Sequence, residues 1–328
     1  MKNSFLLVVA LGLFTPALPV SAQTPRSQVT KELRQMLHAG QFEALEAFAA
    51  NMLKKTDGRG GRYADSFYFC ESFQKPLSTK TGDLAWTEHF GELEKWVQQY
   101  PESVYPRVAL ARSLCSYAWE ARGGGVASSV TPEGWKLFRE RLSKADQVLV
   151  EAEKITTSEV PLYQVWTTVG LGLKWPADKY EVIFQKGIMA DPNFLPIYYS
   201  KLQYLLPRWR GKPGDVERFA EEIADKRGGE EGDMLYMFIA RRLAEWQGKE
   251  DFFDYAEISW PRMKRGFEAR IKNPRFVNLE LNHYCYFACL MKERSTAKRL
   301  FDEIGSQWRS EAWGNQGVFE QWRKWAGP

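Results

Sequence analysis

Trp135, Phe138, Leu142, Ala145, Leu149, Ala152 and Ile155 recur at three- and four-residue spacing without a miss for more than five turns. That period keeps them on one face of an α-helix and would scatter them over both faces of a strand. A stripe this long must be covered by another element, so it constrains the fold before anything else. The same period runs through Phe42, Leu45, Phe48 (with Ala49), Met52 and Leu53. It recurs in Trp86, Phe90, Leu93, Trp96 and Tyr100, where Pro101 closes the segment. Two-residue alternation, the mark of a strand, is absent over any useful length. The chain is predicted to be all-α.

The stretch WEARGGGVASSVTPEGW, residues 119–135, looks most like a site. A phosphate-binding loop needs a helix directly behind its glycines, usually with a lysine and a strand in front. Here an apolar helix, Val104 to Trp119, precedes Gly123-Gly124-Gly125, and no lysine follows before Lys136. The glycines are expected to close that helix. Ala127 to Val130 then serve as connector, Thr131 as the next N-cap, and Pro132 with Glu133 as its first turn.

Pro101, Pro132, Pro161 and Pro192 each stand at or near a helix start, 31, 29 and 31 residues apart. Between them lie helix pairs, as in DKYEVIFQKGIMADPNFLPIYYSKLQYL, read as helix, Asp-Pro turn, helix. A two-helix unit of just over thirty residues marks tetratricopeptide-like arrays, although the full consensus is not met. Neighbouring pairs must cover apolar faces that no pair covers alone. The expectation is a right-handed, helical-hairpin repeat solenoid. Residues 23–328 would form a single repeat-like domain, with an insertion at about 57–83 carrying Phe67, Tyr68, Phe69 and Phe73. Residues 205–215, LLPRWRGKPGD, form a second looser stretch. At the C-terminus Phe319, Trp322 and Trp325 share a face, as a capping helix requires.

The start of the chain bears on compartment. Lys2 precedes an apolar run, Ser4 to Phe14, too short to span a bilayer. Pro16 and Pro19 break it, and Val20-Ser21-Ala22 offers the small residues that signal peptidase accepts. Residues 1–22 are read as a cleaved signal peptide, placing the chain in the periplasm or outside the cell with no stable membrane insertion after cleavage. Loss of Lys2 lowers the formal net charge from +4 to +3. Basic and acidic residues are interleaved with no clustered basic face, which argues against a nucleic-acid partner. Cys70, Cys115, Cys285 and Cys289 read as buried small hydrophobes, with a long-range Cys70–Cys115 bridge open to an exported chain. Cys285 and Cys289 share a helix face, but His283 sits about 200° around from Cys285, so no metal site is expected.

Trp119, Arg122 and Gly123 in one connector, and Pro207, Arg208, Trp209 and Gly211 in the other, carry a family resemblance together with the closing WPRMKRGFEAR and NHYCYFACLMKERSTAKRLFDEI segments. From about Gln41 to Trp313 the chain resembles the bacterial domain of unknown function 4034 family. In that family a Trp-x-x-Arg-Gly helix end precedes a small-residue connector, and a Pro-Arg-Trp-x-Gly loop follows. The resemblance implies an α-helical, repeat-like fold and no activity.

Catalytic patterns are absent: there is no His-Glu-x-x-His and no Gly-x-Ser-x-Gly. Of the three histidines, His89 lies beside Glu88 and Glu92 as on an ordinary exposed helix. Pairs such as Glu221-Glu222 and Glu230-Glu231 read as solvated helix ends. No catalytic residue, metal or cofactor is assigned. Binding is the favoured functional reading. Thirteen tryptophans, 14 tyrosines and 20 phenylalanines make the chain aromatic-rich, and most of these rings are expected to fill the gaps between stacked helices. Trp119 with Arg122, and Trp209 with Arg210, sit in connectors that can line up along a superhelix edge, where they suit a protein or peptide partner in the envelope. For the connectors the structural reading carries more weight than the binding one: Arg208 and Arg210 only bond helix-end carbonyls left open by the turn. The other functional alternative is an envelope hydrolase or glycan-processing enzyme with a carboxylate pair in a deep pocket.

Overall fold

A computed structural model describes residues 26–54, 62–77, 82–247 and 256–327. The leader read at residues 1–22 lies outside these. Sixteen α-helices and one 3-10 turn, and no strand, are present among the described residues. The chain divides into two compact units, Met1–Phe194 and Leu195–Pro328. The helix pair read around Asp191-Pro192 falls on either side of that boundary.

Unit 1 holds α1 (Arg26–His38), α2 (Phe42–Lys54), α3 (Arg62–Ser72), α4 (Asp83–Gln99), α5 (Tyr105–Arg122), α6 (Pro132–Ile155), α7 (Val160–Gly172) and α8 (Ala177–Ala190). Each packs on its chain neighbour, with the exception of α3 and α4, and α3, α5 and α7 also touch one another. The segment read as an insertion therefore supplies a core helix. Phe69 and Phe73 meet edge-on at 5.1 Å and both face Trp96, which stacks on Phe42 at 6.4 Å. Trp96 is fully buried, and its indole N–H donates to Glu46 Oε1 at 2.8 Å. Burial of a ring this size needs such a partner for its polar edge. Burial raises the Glu46 pKa, while Ser103 and Trp96, donating to the carboxylate, oppose the rise.

The long stripe on α6 is buried as its period requires: Phe138, Leu142, Ala145, Leu149 and Ala152 are each at most 1 % exposed. It packs along α5, the most extensive helix contact in the unit.

Unit 2 holds α9 (Leu195–Leu205), α10 (Asp215–Arg227), α11 (Gly229–Gln247), α12 (Trp260–Ile271), α13 (Val277–Leu290), α14 (Arg294–Ile304), α15 (Ser310–Trp313) and α16 (Gln316–Ala326). Every residue of α13 from Glu280 to Cys289 is buried, so this helix is enclosed on all sides rather than amphipathic. Asn282 in its middle is fully satisfied. Its Oδ1 accepts from the Arg309 amide at 3.0 Å and the Trp313 indole at 2.8 Å, and its Nδ2 donates to the Asn278 and Gln307 carbonyls. At the end of the chain α16 packs on α14 and α15. Its Phe319 is buried against Phe301 and Trp313.

All four cysteines are buried free thiols, so the Cys70–Cys115 bridge is not formed. Burial pushes the Cys115 thiol up to about 12 and raises Cys70 as well. No described helix is long and apolar enough to cross a membrane.

Candidate functional site

The connector after α5 is built by its glycines and by Arg122. Gly123 stands at φ 74°, left-handed backbone that a side chain disfavours, and its amide caps the Trp119 and Glu120 carbonyls. A 3-10 turn, Ala127–Ser129, carries the chain to Thr131, whose hydroxyl accepts from the Gly134 amide at 3.0 Å. Arg122 then ties the loop down, donating from one Nη to the Gly123 carbonyl at 2.9 Å and to the Gly125 carbonyl at 2.7 Å. No phosphate cradle results, because a carbonyl-bound guanidinium occupies the glycine turn.

Around that guanidinium the ends of α5, α6 and α7 bring together an aromatic and cationic patch. Arg122 lies 5.6 Å from the Trp119 ring and 5.7 Å from the Trp135 ring, within cation–π range of both. Trp119 meets Phe138 edge-on at 4.9 Å, so one side of it belongs to the core. Lys174, exposed and just past α7, reaches over Trp135 at 5.7 Å. Trp119, Arg122 and Trp135 are each half-buried. The sequence reading missed Trp135 and Lys174 here, because only the folding of α6 and α7 against α5 places them beside Arg122.

Trp209 and Arg210 lie in unit 2, just beyond α9. The turn closes through backbone: the amides of Trp209 and Gly211 donate to the Leu206 carbonyl at 2.8 and 3.3 Å, and that of Arg210 to the Tyr204 carbonyl at 3.1 Å. The Tyr204 and Leu206 carbonyls are thus taken by main-chain amides. Trp209 is half-buried, and Arg208 and Arg210 are exposed. Gly211 is obligatory, since a Cβ there would fall onto the Leu205 carbonyl.

His89, expected on an exposed face, is 3 % exposed instead. Its Nε2 lies 2.7 Å from the Phe73 carbonyl and 3.2 Å from Ser113 Oγ. Burial drives its pKa down to about 4, against the pull of the Phe73 carbonyl, and Arg34 adds to the fall. It is a neutral core residue that ties α4 to the end of α3.

The carboxylates group around arginines. Arg262 contacts Glu221 at 2.5 Å, Asp225 at 2.7 Å and Asp233 at 3.0 Å, and Arg265 holds the other Asp233 oxygen at 2.6 Å. Glu221, read as solvated, is thereby half-buried in an ion-pair network between α10, α11 and α12. The Arg265 hydrogen bond leads the causes that lower the Asp233 pKa. A general acid needs the opposite shift, so this cluster suits packing and not glycoside chemistry. A shallow depression of about 590 Å³, lined by Ser295, Lys298, Arg299, Asp302 and Glu303, lies wide open on α14. Its charges pair within the helix, as Arg299 does with Glu303 at 2.6 Å.

Comparison with protein-family models, with curated proteins and with solved structures returns no match.

Proposed function

We propose that the chain is an exported helical-repeat protein that binds a protein or peptide partner in the cell envelope, in the periplasm or outside the cell. On this reading the helices form a right-handed, tetratricopeptide-like stack, of the kind the domain of unknown function 4034 resemblance implies. Support for the stacking comes from the packing of chain neighbours α4 to α8 on one another and of α5 on α7. Support for export comes from the short apolar run and the Val20-Ser21-Ala22 site.

The observation that carries the binding reading is the half-buried patch of Trp119, Arg122, Trp135 and Lys174. Aromatic rings with arginine, packed on one side and open on the other, are the usual anchors of protein contacts. Trp209 and Arg210 form a second, separate contact on unit 2.

The test has two arms. Fractionation with N-terminal sequencing should find the chain outside the cytoplasm beginning at Gln23. A photo-reactive residue at Trp135 should cross-link one discrete partner in intact cells, and the same residue at Val150 on the far part of α6 should not. Cytoplasmic retention, or cross-linking that is equal at the two positions, would count against the proposal.

A further inference from the structure

The patch at the ends of α5, α6 and α7 has a charge and a shape that narrow what can dock on it. Arg122 and Lys174 each lie 5.7 Å from the Trp135 ring. Arg139 stands four residues along α6 from Trp135, on the same helix face, and is exposed. Among the described residues none of these three cations forms an ion pair. The neighbouring acids do not reach them. Glu120 accepts from the Trp86 indole at 3.1 Å, and Glu133 pairs with Lys136 at 3.8 Å. Glu140 adjoins Arg139 in sequence but lies about 140° around the helix from Trp135, at roughly 100° per residue. Asp57, the one acid of unit 1 outside the described residues, precedes α3. That helix enters from the far end of α5: Phe69 meets Tyr105 at 5.8 Å, and the Phe73 carbonyl accepts from Ser113 Oγ at 2.6 Å. The start of α3 therefore lies away from Arg122.

An apolar contact is presented beside the cations. Val126, at the tip of the connector, is 71 % exposed. The loop that carries it is ordered before any partner arrives, since Arg122 holds the Gly123 and Gly125 carbonyls and the Ser129 hydroxyl holds that of Val126 at 2.8 Å. Lys174 stands at φ 57°, left-handed backbone that glycine adopts freely and other residues seldom do. A cation is thus kept over Trp135 at a conformational cost, which points to a use for its side chain.

We propose that this patch takes an acidic peptide segment, whose carboxylates meet Arg122, Arg139 and Lys174 while an apolar side chain between them rests on Val126 and the half-buried tryptophans. The assignment rests on the contact reading given above and adds the chemistry of the partner. Complementary charge sets which partners dock and how fast, and apolar contact holds them. A basic segment is repelled by the three cations. The exposed Glu133 and Glu140 flank the patch, so a broad anionic surface is opposed where a narrow peptide is not.

The test is fluorescence anisotropy on the full chain at about 0.15 M salt, where distant charges are screened. The probe is a labelled octapeptide of glutamates with two leucines among them. Its counterparts carry glutamine or lysine in place of glutamate, or alanine in place of leucine. Wild type should bind the glutamate probe saturably, at least tenfold more tightly than the glutamine one, and the lysine one not at all. Alanine for leucine should weaken binding several-fold. Arg139→Gln combined with Lys174→Gly should lose at least tenfold. Lys174→Gly alone should weaken the probe yet melt no lower than wild type, because glycine suits that backbone; binding and stability then part company, as a purely structural lysine would not allow. Arg210→Gln, which removes a cation from unit 2, should bind as wild type does. Equal binding of the glutamate and glutamine probes, full affinity in the double variant, or an equal loss in Arg210→Gln would overturn the assignment. A guanidinium grips phosphate as well as carboxylate. Displacement by millimolar inorganic phosphate beyond that of chloride at the same ionic strength, or capture by phosphatidylglycerol vesicles in preference to the peptide, would therefore also overturn it. The Trp135 cross-link separates this assignment from the contact reading: one discrete partner that persists in the double variant would sink the acidic class and leave the contact standing.

Discussion

Gly266 on α12 faces α11 at a close approach in unit 2, and replacing it with alanine measures that seam directly. A Cβ at this position would stand 2.7 Å from Met237 Cβ, with the Asp233 carbonyl oxygen nearer still. Carbon atoms in contact rest about 3.5–4.0 Å apart, so the two helices must part by about 1 Å. Neither obstacle can rotate away, since one is main chain and the other a Cβ. The same seam carries the two arginines that hold Asp233, and Met263 and Phe267 on the same helix are fully buried. Overpacking of this kind costs about 1–3 kcal/mol. Alanine returns about 1 kcal/mol through its better helix propensity. With main chain as the obstacle the cost falls at the upper end, and the expected net loss is about 2 kcal/mol. Gly91→Ala on α4 is the control, because a Cβ there meets nothing within 4 Å. It should gain about 0.5–1 kcal/mol. Urea denaturation followed by tryptophan fluorescence and circular dichroism reads both, each transition fitted separately because the chain has two units. A Gly266→Ala protein as stable as wild type, beside a stabilised Gly91→Ala, would refute the close packing of α11 and α12.

Three further outcomes follow from the buried groups and the glycine connector. His89 titrates near 4 when folded and near 6.5 when unfolded, so between those values only the unfolded chain binds the proton. Stability should therefore be intact above about pH 6.5 and fall by up to about 3 kcal/mol as pH drops toward 4; in urea titrations His89→Gln should flatten that slope, and an unchanged slope would refute it. The free, buried thiols should resist a disulfide reagent in the native chain and yield four equivalents after denaturation without reductant, whereas two would reveal a bridge. Arg122→Ala removes both bonds to the Gly123 and Gly125 carbonyls, costing about 1 kcal/mol and speeding amide exchange across 123–130; unchanged exchange would show that the glycines hold the turn without it.

Much of the local structure was legible in the chain. The stripe from Trp135 to Ile155, the closure of α5 at Gly123 and the start of α6 at Thr131 are set by neighbours a few residues away. Spacing and capping therefore reveal them without reference to the rest of the molecule. Burial of polar residues was not legible. Nothing in the run around His89 distinguishes an exposed helix from a core one until α3 and α5 close over it, and Glu280 looks like any helical acid until Arg241 and Arg270 meet it. The aromatic stretch read as an insertion became α3, because its Phe69 and Phe73 find Trp96 and Tyr105 only once distant helices are assembled. Likewise Trp119 and Arg122 drew notice as neighbours in sequence, while Trp135 and Lys174 joined them through packing. Short-range periodicity decides where a helix runs and which side is oily. Which charges and rings meet depends on contacts between remote segments, and only the assembled units supply those.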